Sequence, residues 1–472
     1  GYSSSQDIIS LMDAQDRILT ASTIDNDSSL LLVRNLPDGS LDPSFGIYGK
    51  EIYTVTRIYI SALMIQEDGK ILVAASGCHD SCDIQTLDNY DFSIIRFLQD
   101  GLIDTSFGDL GFVKVNLGHN EYSSGIAVQD DGKIIVTGGI YYDGEFSDII
   151  LIRLLPDGKP DSTFGASGIV ITELSSFYGY SHGDLIALQS DGKIIVVANN
   201  HDQFGFQLPS AILRYESNGV LDHSFGSNGV IDSTYTVFNT IDIQYDASIL
   251  MVGGWCSWGC GAVLTHYTPS GLLDSTFSDQ GQYVSNGGIF MGIKTQTDHK
   301  ILATGYWQYN LLLMRFSSQG FPDTTFGSQG VSLTNINDLS FSGEKIYLQP
   351  DGKILVLGTV IVPGAIGSNN KVFIARFYND INTSVEKEPL ERHSNFEVYP
   401  NPASGNLNIA LTEIDKNVVI TISDISGQVV YKNSASQLQT IKVNTNDFPG
   451  GLYFVNIQTE NSIQTKKVFI SK

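Results

Sequence analysis

The sequence predicts an all-β chain: a seven-bladed β-propeller of four-stranded blades over residues 1–378, then a small Ig-like β-sandwich over residues 395–472. Three observations predict this fold. Two short motifs recur in a fixed order along the first domain, each between apolar runs. Glycine accounts for 47 of 472 residues, above the usual share of about 7%, as many tight turns require. After residue 394 both motifs stop and a different strand pattern begins.

The first motif, Asp-Gly-Lys, stands between two short apolar runs. Apolar runs on either side of an Asp-Gly turn predict a β-hairpin, here strands A and B of each repeat. The four intact and three altered copies are at 68–70, 131–133, 191–193, 351–353, 16–17, 246–248 and 298–300.

The second motif, Asp-x-Ser/Thr-Phe-Gly, follows a strand C that ends in a basic residue. Its copies are at 42–46, 104–108, 161–165, 222–226, 274–278 (with Ser278 last) and 323–327. The basic residues are Arg34, Arg96, Arg153, Arg214, His266, Arg315 and Arg376. An Asp after nearly every Arg predicts charge-assisted hydrogen bonds that tie strand C to its turn, and the Phe is suited to wedge between blades. A ring of anion-binding arginines is the alternative.

A strand D follows the second motif, so each period supplies four strands. One such sheet is marginally stable, but stacking copies around an axis buries both faces. Seven copies fall in the usual range of about four to eight blades. The seventh copy ends near Phe377 without a recognisable strand D. We expect residues upstream of Gly1 to supply it; the alternative is residues 381–385.

In this order, the two motifs resemble the delta-60 repeat family of bacterial propeller-like proteins over roughly residues 7–378. The resemblance implies a propeller fold and no activity.

Residues 379–394 are polar and charged and predict a linker. The domain after it resembles the type A C-terminal sorting domain of the type IX secretion system of Bacteroidota. The resemblance rests on Tyr399, Pro400, Asn401, Pro402, Gly451, Lys466 and Lys467. It implies export by a cleaved leader, then passage through the outer membrane with the secretion translocon and an outer-membrane shuttle as partners. The product is secreted or held at the outer cell surface. An ordinary Ig-like accessory module is the alternative.

The charge and hydrophobicity of the sequence limit the kinds of partner that it can have. Acidic residues number 51 and basic residues 27, for a net charge of −24. Such a surface repels phosphate backbones, so no nucleic-acid partner is predicted. No apolar run is long enough to span a membrane. The first residues do not form a signal peptide, so we expect a leader to have been removed or left out.

Within each blade the A–B and C–D turns share one face, the turn face, and the B–C and D–A connections share the opposite face, the loop face. The B–C loops vary and carry all three tryptophans. Aromatic rings beside polar side chains suit a sugar ligand; the alternative is that they cap the blades. The predicted ligand-binding residues are Trp255, Trp258, Trp307, Tyr306, Tyr141, Tyr142, Phe204, His201 and Asp202.

The four cysteines form two Cys-x-x-x-Cys pairs in B–C loops, Cys78 with Cys82 and Cys256 with Cys260. In an exported chain these predict two local disulfides. Metal binding is the alternative, but zinc pairs are usually closer, and no metal site or cofactor is predicted. Calcium is left open by the acidic residues 25–27.

No catalytic motif is recognisable, so no catalytic residue is predicted. The sequence predicts a binding or adhesion module for a glycan or a surface protein. One alternative is a polysaccharide-acting hydrolase or lyase that uses loop-face carboxylates such as Asp80, Asp143, Glu145 or Asp202. The other is a structural surface component without a small ligand.

Overall fold

The structure, a computed structural model, divides into two compact units, Gly1–Thr383 and Ser384–Lys472. It describes residues 8–24, 29–55, 58–77, 90–142, 147–174, 181–201, 208–233, 236–256, 260–335, 339–363, 368–379, 396–411, 418–424, 429–435, 440–458 and 463–471. Within these residues no helix is long and apolar enough to cross a membrane.

The first unit consists of antiparallel sheets in which each strand pairs with the next in sequence. Sheet 1 holds β1 (Ile8–Met12), β2 (Ile18–Ile24), β3 (Ser29–Asn35) and β4 (Lys50–Thr54). Sheet 2 holds β5 (Ile58–Ile65), β6 (Ile71–Gly77), β7 (Asp91–Phe97) and β8 (Phe112–Val115). Sheet 3 holds β9 (Asn120–Val128), β10 (Ile134–Tyr141), β11 (Ser147–Leu154) and β12 (Ile169–Thr172). Sheet 4 holds β13 (Gly183–Leu188), β14 (Ile194–Ala198), β15 (Ala211–Tyr215) and β16 (Val230–Asp232).

The remaining sheets of this unit follow the same order. Sheet 5 holds β17 (Val237–Ile243), β18 (Ile249–Cys256), β19 (Cys260–Tyr267) and β20 (Gln282–Val284). Sheet 6 holds β21 (Ile289–Thr295), β22 (Ile301–Trp307), β23 (Asn310–Phe316) and β24 (Val331–Thr334). Sheet 7 holds three described strands, β25 (Ser340–Leu348), β26 (Ile354–Pro363) and β27 (Ser368–Phe377). Residues 381–385, the alternative source of its outer strand, lie outside the described residues.

Hydrophobic cores form between consecutive sheets, in the propeller-like manner. Alternate residues of β6 show how: Ile71 and Val73 pack with sheet 1, whereas Leu72 and Ala74 pack with sheet 3. Because both faces of a middle sheet are covered, its central strands are apolar throughout rather than alternating. Every residue of β6 is buried, which explains the unbroken apolar runs around Asp-Gly-Lys.

Sheet 7 also contacts sheet 1. Strand β1 packs against β26 and β27. The backbone N–H of Met12 donates to Tyr347 Oη at 3.0 Å, and Gln349 Nε2 donates to Asp16 Oδ2 at 3.1 Å. The two ends of the sheet series are therefore joined directly.

Strand A carries a β-bulge in sheets 2 to 7. The unpaired residues at the bulges are Ser61, Ser124, Asp184, Asn239, Met291 and Glu344. A bulge turns a strand and re-aims the side chains beside it. These positions lie near the loop face, where strand A begins.

The second unit has two antiparallel sheets around one core. The first sheet holds β28 (Phe396–Tyr399), β29 (Asn406–Leu411) and β32 (Thr440–Asn444). The second holds β31 (Val429–Ala435), β30 (Val418–Asp424), β33 (Gly451–Gln458) and β34 (Ile463–Ile470), in that order. Leu407 and Ile409 of the first sheet and Ile420 and Val455 of the second belong to the same buried cluster.

Candidate functional site

The arginines of the turn face bind their turn aspartates, as the sequence predicts. Arg153 Nε donates to Asp161 Oδ2 at 2.9 Å, and Thr163 Oγ1 donates to Asp161 Oδ1 at 2.7 Å. Burial alone would raise the pKa of Asp161, but the bonds from Thr163 and the Arg153 guanidinium hold that pKa below its usual value. The same Arg–Asp contact, at 2.7–2.9 Å, joins Arg34 to Asp42, Arg96 to Asp104, Arg214 to Asp222 and Arg315 to Asp323.

Each of these arginines also reaches the next sheet, a contact that the sequence does not predict. Arg96 Nη1 donates to the carbonyl of Pro156 in sheet 3 at 2.5 Å, and its guanidinium stacks on Phe107 at 4.3 Å. Phe107 in turn lies against Gly158, where an added Cβ would come within 3.0 Å of its ring. The motif therefore clasps one sheet to the next, and the expected wedging of its Phe is confirmed.

The fifth copy keeps the contact between strand C and its turn with different residues. His266 Nδ1 lies 2.9 Å from Asp274 Oδ2, and His266 Nε2 lies 2.9 Å from Ser248 Oγ. In sheet 4, Lys193 of the Asp-Gly-Lys turn contacts the corresponding aspartate in addition to Arg214, with its Nζ 2.7 Å from Asp222. The paired change from Arg to His and from Lys to Ser preserves the contact, so the turn face is structural.

The predicted tryptophans do not meet within the described part of the chain. Trp255 is half-buried over Gly261, where an added Cβ would lie 2.8 Å from its Nε1. Trp307 is 40% exposed and covers Gly287 in the same way, at 2.7 Å. No ring contact joins the two among the described residues, and Tyr306 is half-buried beside Trp307. Trp258, Asp202 and Phe204 lie outside those residues.

Two predicted residues, Tyr141 and His201, belong to a continuous row of rings that we call the aromatic arc. Its members are Tyr59, Tyr90, Tyr122, Tyr141, His182 and His201. Successive ring centroids are 5.6, 5.3, 5.2, 6.3 and 6.0 Å apart, the usual range for interacting aromatic pairs. The arc crosses sheets 2, 3 and 4 on the loop face. Tyr59 is 37% exposed, Tyr90 is buried and the other rings are half-buried.

The arc is confined to three sheets. Tyr59, Tyr122 and His182 each stand two residues before the bulge of strand A. The same position in sheets 5, 6 and 7 holds Val237, Ile289 and Ser342. The repeat therefore folds without an aromatic residue at this position in sheets 5 to 7.

A polar relay ends the arc where sheet 3 meets sheet 4. His182 Nε2 lies 2.8 Å from Asp184 Oδ1, and His182 Nδ1 lies 3.3 Å from the hydroxyl of Tyr141. The backbone N–H of Asn199 donates to the other Asp184 oxygen at 2.8 Å. Burial would lower the pKa of His182, but the Asp184 carboxylate outweighs it and raises that pKa. Space for the imidazole comes from Gly139, where an added Cβ would lie 2.5 Å from His182 Cβ.

The remaining predicted tyrosine belongs to a separate contact. Tyr142 Oη donates to Asp148 Oδ2 at 3.1 Å, and its ring meets His119 edge-on at 4.8 Å. Burial, chiefly, raises the pKa of both Tyr142 and Asp148.

A buried carboxyl lies beside the arc. Glu121 precedes Tyr122, and its Oε1 accepts the backbone N–H groups of Leu117 at 3.2 Å and His119 at 3.1 Å. Its side chain is fully buried and Oε2 has no hydrogen-bond partner. Burial outweighs the two N–H donors and raises the pKa of Glu121 to about 7.

The structure describes only some of the residues on which the cysteine and metal predictions depend. The backbones of Cys256 and Cys260 face each other across the β18–β19 hairpin. Their side chains, together with Cys78 and Cys82, lie outside what the structure describes. Among the described residues no group of three or more His, Cys, Asp or Glu could hold a metal ion. Residues 25–27, which left calcium open, are not among them.

In the second unit the two ends of the sorting motif meet. Asn401 Nδ2 donates to the carbonyl of Lys467 at 3.1 Å, and the N–H of Phe469 donates to Asn401 Oδ1 at 2.9 Å. Lys466 Nζ stands 5.2 Å from the ring centre of Phe396. Tyr399–Pro400 and Asn401–Pro402 are both cis peptide bonds, and Gly451 begins β33. The opening loop is thus held by the last strand.

Comparison with known proteins finds a family match in each of the two units of the chain. Residues 397–471 match the family described as secretion system C-terminal sorting domain. Residues 17–45, 66–107, 129–164 and 189–225 match the family described as domain of unknown function (DUF5122) beta-propeller. These matches confirm the predicted propeller repeats and sorting domain. No curated protein matches the chain.

Solved structures give only distant likenesses. Drosophila Plexin A in complex with Semaphorin 1b is 8% identical, with 78% of this chain and 84% of that chain covered and a TM-score of 0.41. Prolyl oligopeptidase B from Galerina marginata is 11% identical, with 75% and 46% covered and a TM-score of 0.39. A protein of unknown function from Bacteroides caccae is 12% identical, with 59% and 81% covered and a TM-score of 0.28. Likenesses at this level carry no argument about function.

Proposed function

We propose that this chain, a DUF5122-type β-propeller that its C-terminal sorting domain directs through type IX secretion to the cell surface or extracellular space, binds a glycan along the aromatic arc. The confinement of the arc to sheets 2, 3 and 4 carries the proposal. Three equivalent positions are aromatic there and aliphatic or small in sheets 5 to 7. Since the repeat folds without aromatic residues at these three positions in sheets 5 to 7, their presence in sheets 2 to 4 supports a role in binding a ligand.

The chemistry of the arc suits a sugar chain. Sugar rings present flat C–H faces that pack on aromatic rings, and hydroxyl edges that need hydrogen-bond partners. Neighbouring rings of the arc are 5.2–6.3 Å apart, so a ligand along it would meet several rings in succession. The phenol groups, His182 and Asp184 supply polar partners at one end.

We place this arc on a seven-bladed propeller followed by an Ig-like sandwich. The direct contact of sheet 7 with sheet 1 supports the blade number, because it leaves no gap for an eighth sheet. The shared core of two antiparallel sheets supports the sandwich. In this arrangement the sandwich acts as the sorting signal, with the secretion translocon and its outer-membrane shuttle as partners. The propeller carries the ligand site.

A glycan array with three variants tests the proposal. Tyr59→Ala removes the most exposed ring of the arc, Trp307→Ala removes a predicted tryptophan on sheet 6, and Tyr245→Ala removes a fully exposed ring on the turn face. We expect glycan binding by the wild type, a loss of at least about tenfold for Tyr59→Ala, and no change for Tyr245→Ala.

Two other outcomes would contradict the proposed site or the proposed ligand. Loss of binding in Trp307→Ala alone would move the site to the tryptophan loops. Absence of glycan binding by the folded wild type would overturn the proposal and favour a protein ligand or a structural surface role.

A further inference from the structure

Asp91 and Lys114 form a contact in sheet 2 that differs from the charged contacts of the turn face. Asp91 begins strand β7, and Lys114 lies on β8, the neighbouring strand of the same sheet. Lys114 Nζ lies 2.7 Å from Asp91 Oδ2. The Asp91 side chain is only 2% exposed, whereas that of Lys114 is 30% exposed. The amine of the outer strand therefore reaches a buried carboxyl group.

Glu121 of sheet 3 adjoins this pair. Its backbone N–H donates to the carbonyl of Tyr90 at 2.7 Å, which places Glu121 beside the residue that follows Tyr90, namely Asp91. Among the described residues, Asp91 Oδ1 and Glu121 Oε2 are both buried oxygens without a hydrogen-bond partner. Nearly all buried polar atoms in folded proteins have a partner, so two such oxygens on adjacent residues call for an explanation.

Glu121 is suited to carry a proton at this place. Burial is the largest cause of its raised pKa, which is about 7, and the charges of Asp91 and Lys114 act on that pKa less strongly and in opposite directions. A positioned acid of this kind can give a proton to one reacting group and take a proton from another. The three side chains therefore combine an amine nucleophile, a carboxyl carbon and a proton carrier.

Proximity and burial both favour a reaction between the amine of Lys114 and the carboxyl of Asp91. Groups that a fold holds in contact can reach effective concentrations of about 10⁵–10⁸ M, which no mixture of separate amines and acids attains. Burial also favours the neutral forms of an amine and a carboxylic acid over their charged forms. Asp91 is buried and in contact with the amine, so both conditions are met.

A lysine–aspartate contact of the same length in sheet 4 lacks these features. Lys193 Nζ also lies 2.7 Å from Asp222 Oδ2. That oxygen accepts a second bond from Arg214 Nε, and the other oxygen accepts from Ser224 Oγ. Burial would raise the pKa of Asp222, but its bonds to the lysine, to Ser224 and to the arginine outweigh burial and hold that pKa below its usual value. Asp222 therefore stays a carboxylate, which is a poor electrophile.

From this geometry we infer that Lys114 and Asp91 condense to an amide, a covalent cross-link between strands β7 and β8, and that Glu121 carries the proton that the reaction needs. The outer strand β8 pairs with β7 alone within sheet 2, so the bond fixes the strand that has a neighbour on one edge only. Like a disulfide, it closes a loop and limits the conformations of the unfolded chain.

The reaction balances with the loss of one water molecule. One proton first passes from Lys114 Nζ to Asp91 Oδ2, which leaves a neutral amine and a neutral acid. The Nζ electron pair then forms the bond to Asp91 Cγ while Oδ1 takes the proton of Glu121, and the Glu121 carboxylate takes a proton from Nζ. The Cγ–Oδ2 bond breaks, and the departing hydroxyl takes the Glu121 proton and leaves as water. The remaining hydroxyl returns its proton to Glu121, so no other reactant is consumed.

Peptide mapping of the full chain tests the inference. The folded protein is kept at pH 6, then reduced, alkylated and digested with trypsin, and its intact mass is measured in parallel. Trypsin cannot cleave after an acylated lysine, so we expect residues 71–96 and 97–133 as one branched peptide. The mass of this peptide should equal the sum of its two parts less one water, and the intact protein should be lighter than its sequence by one water.

Three variants locate the reaction. Lys114→Arg keeps a cation beside Asp91 and should give the full sequence mass and separate peptides. Glu121→Gln keeps the shape of the side chain and should slow formation of the branched peptide at least about a hundredfold, in line with the usual contribution of general acid–base catalysis. Lys193→Arg alters the contact of equal length in sheet 4 and is the matched control, so it should leave the branched peptide unchanged.

Three results would contradict the inference in whole or in part. A folded wild type with the full sequence mass and separate peptides 71–96 and 97–114 would overturn it. Loss of water at an Asp-Gly turn would indicate a cyclic imide there instead of the cross-link and would also overturn it. A branched peptide that forms equally fast in Glu121→Gln would confirm the cross-link and overturn the role assigned to Glu121.

Discussion

At the scale of single residues, arginine rather than lysine explains the turn face. One planar guanidinium donates to its own aspartate, donates to a carbonyl of the next sheet and stacks on a phenylalanine. A lysine ammonium lacks both the fork and the flat face that these contacts need. The short Arg-to-Asp spacing in sequence does not show the contact with the next sheet, because that carbonyl lies some 60 residues away, as Pro156 does from Arg96.

Removing one clasp should destabilise the first unit. Arg153→Ala leaves the buried Asp161 carboxylate without its cationic partner on strand C, so we expect a loss of about 3 kcal/mol in the free energy of unfolding, measured by urea denaturation. The matched control is Lys159→Ala, since Lys159 pairs with Asp157 on the exposed surface and should cost nothing measurable. Unchanged stability in Arg153→Ala would contradict the structural role of the turn face.

The buried Glu121 predicts that the stability of the first unit falls as the pH rises through neutrality. Its pKa rises from 4.5 to about 7 on folding, so the folded state holds the proton more tightly and stability falls as pH rises between these values. The full shift corresponds to about 3 kcal/mol. Glu121→Gln should therefore lose less stability than the wild type between pH 5 and pH 8 in urea titrations. The exposed Glu67→Gln is the control, and equal slopes in all three proteins would refute the assignment.

At the scale of elements, hairpins and bulges decide which side chains can meet. The β18–β19 hairpin sets Cys256 directly opposite Cys260. Opposed residues of an antiparallel pair have Cα atoms about 4.5–5.5 Å apart, within the range of about 4.4–6.8 Å that a disulfide allows. The bulge of β13 similarly aims Asp184 at His182.

We therefore predict that the Cys256–Cys260 pair is oxidised in protein recovered from an oxidising compartment, and the sequence predicts the same for Cys78 and Cys82. Intact mass should be unchanged by alkylation without reductant and should gain four alkyl groups after reduction. The Cys256→Ser, Cys260→Ser double variant should gain two. Alkylation of the unreduced wild type would show free thiols and disprove the pairing.

At the scale of the whole molecule, stability is divided between two separate cores. The core of the second unit contains only residues from Phe396 to Ile470. The first unit instead has a series of cores between sheets, joined on the turn face by the clasps. We expect the two units to respond differently to conditions that act on the clasps.

Acid should act on the first unit before the second. The clasp aspartates have lowered pKa values in the folded state: burial raises the pKa of Asp42 and Asp104, but bonds from Ser hydroxyls and arginines outweigh it. Their stabilisation is complete above the ordinary carboxyl pKa of about 4 and is lost as pH falls further. All three tryptophans belong to the first unit. Tryptophan fluorescence in thermal scans at pH 7 and pH 3 should therefore show a larger fall in transition temperature than circular dichroism of the isolated sorting domain.

The repeated strands and turns could be predicted because their causes are local. An Asp-Gly turn between apolar runs requires a hairpin wherever it occurs, and the recurrence of both motifs indicates stacked sheets. The arc could not be predicted in full. Tyr122 lies near the start of strand β9 and His182 directly before strand β13, where no motif stands, and each meets a ring contributed by the preceding sheet.

The β repeats, the Arg–Asp contacts of five repeats and the sorting domain follow from the sequence, because each is encoded by residues close together in the chain. The packing of the sheets sets which sheet faces which, and so makes the motif a link between sheets. It also placed Tyr141 of one repeat beside His182 of the next, 41 residues later. Packing around the axis, rather than spacing along the chain, creates that contact.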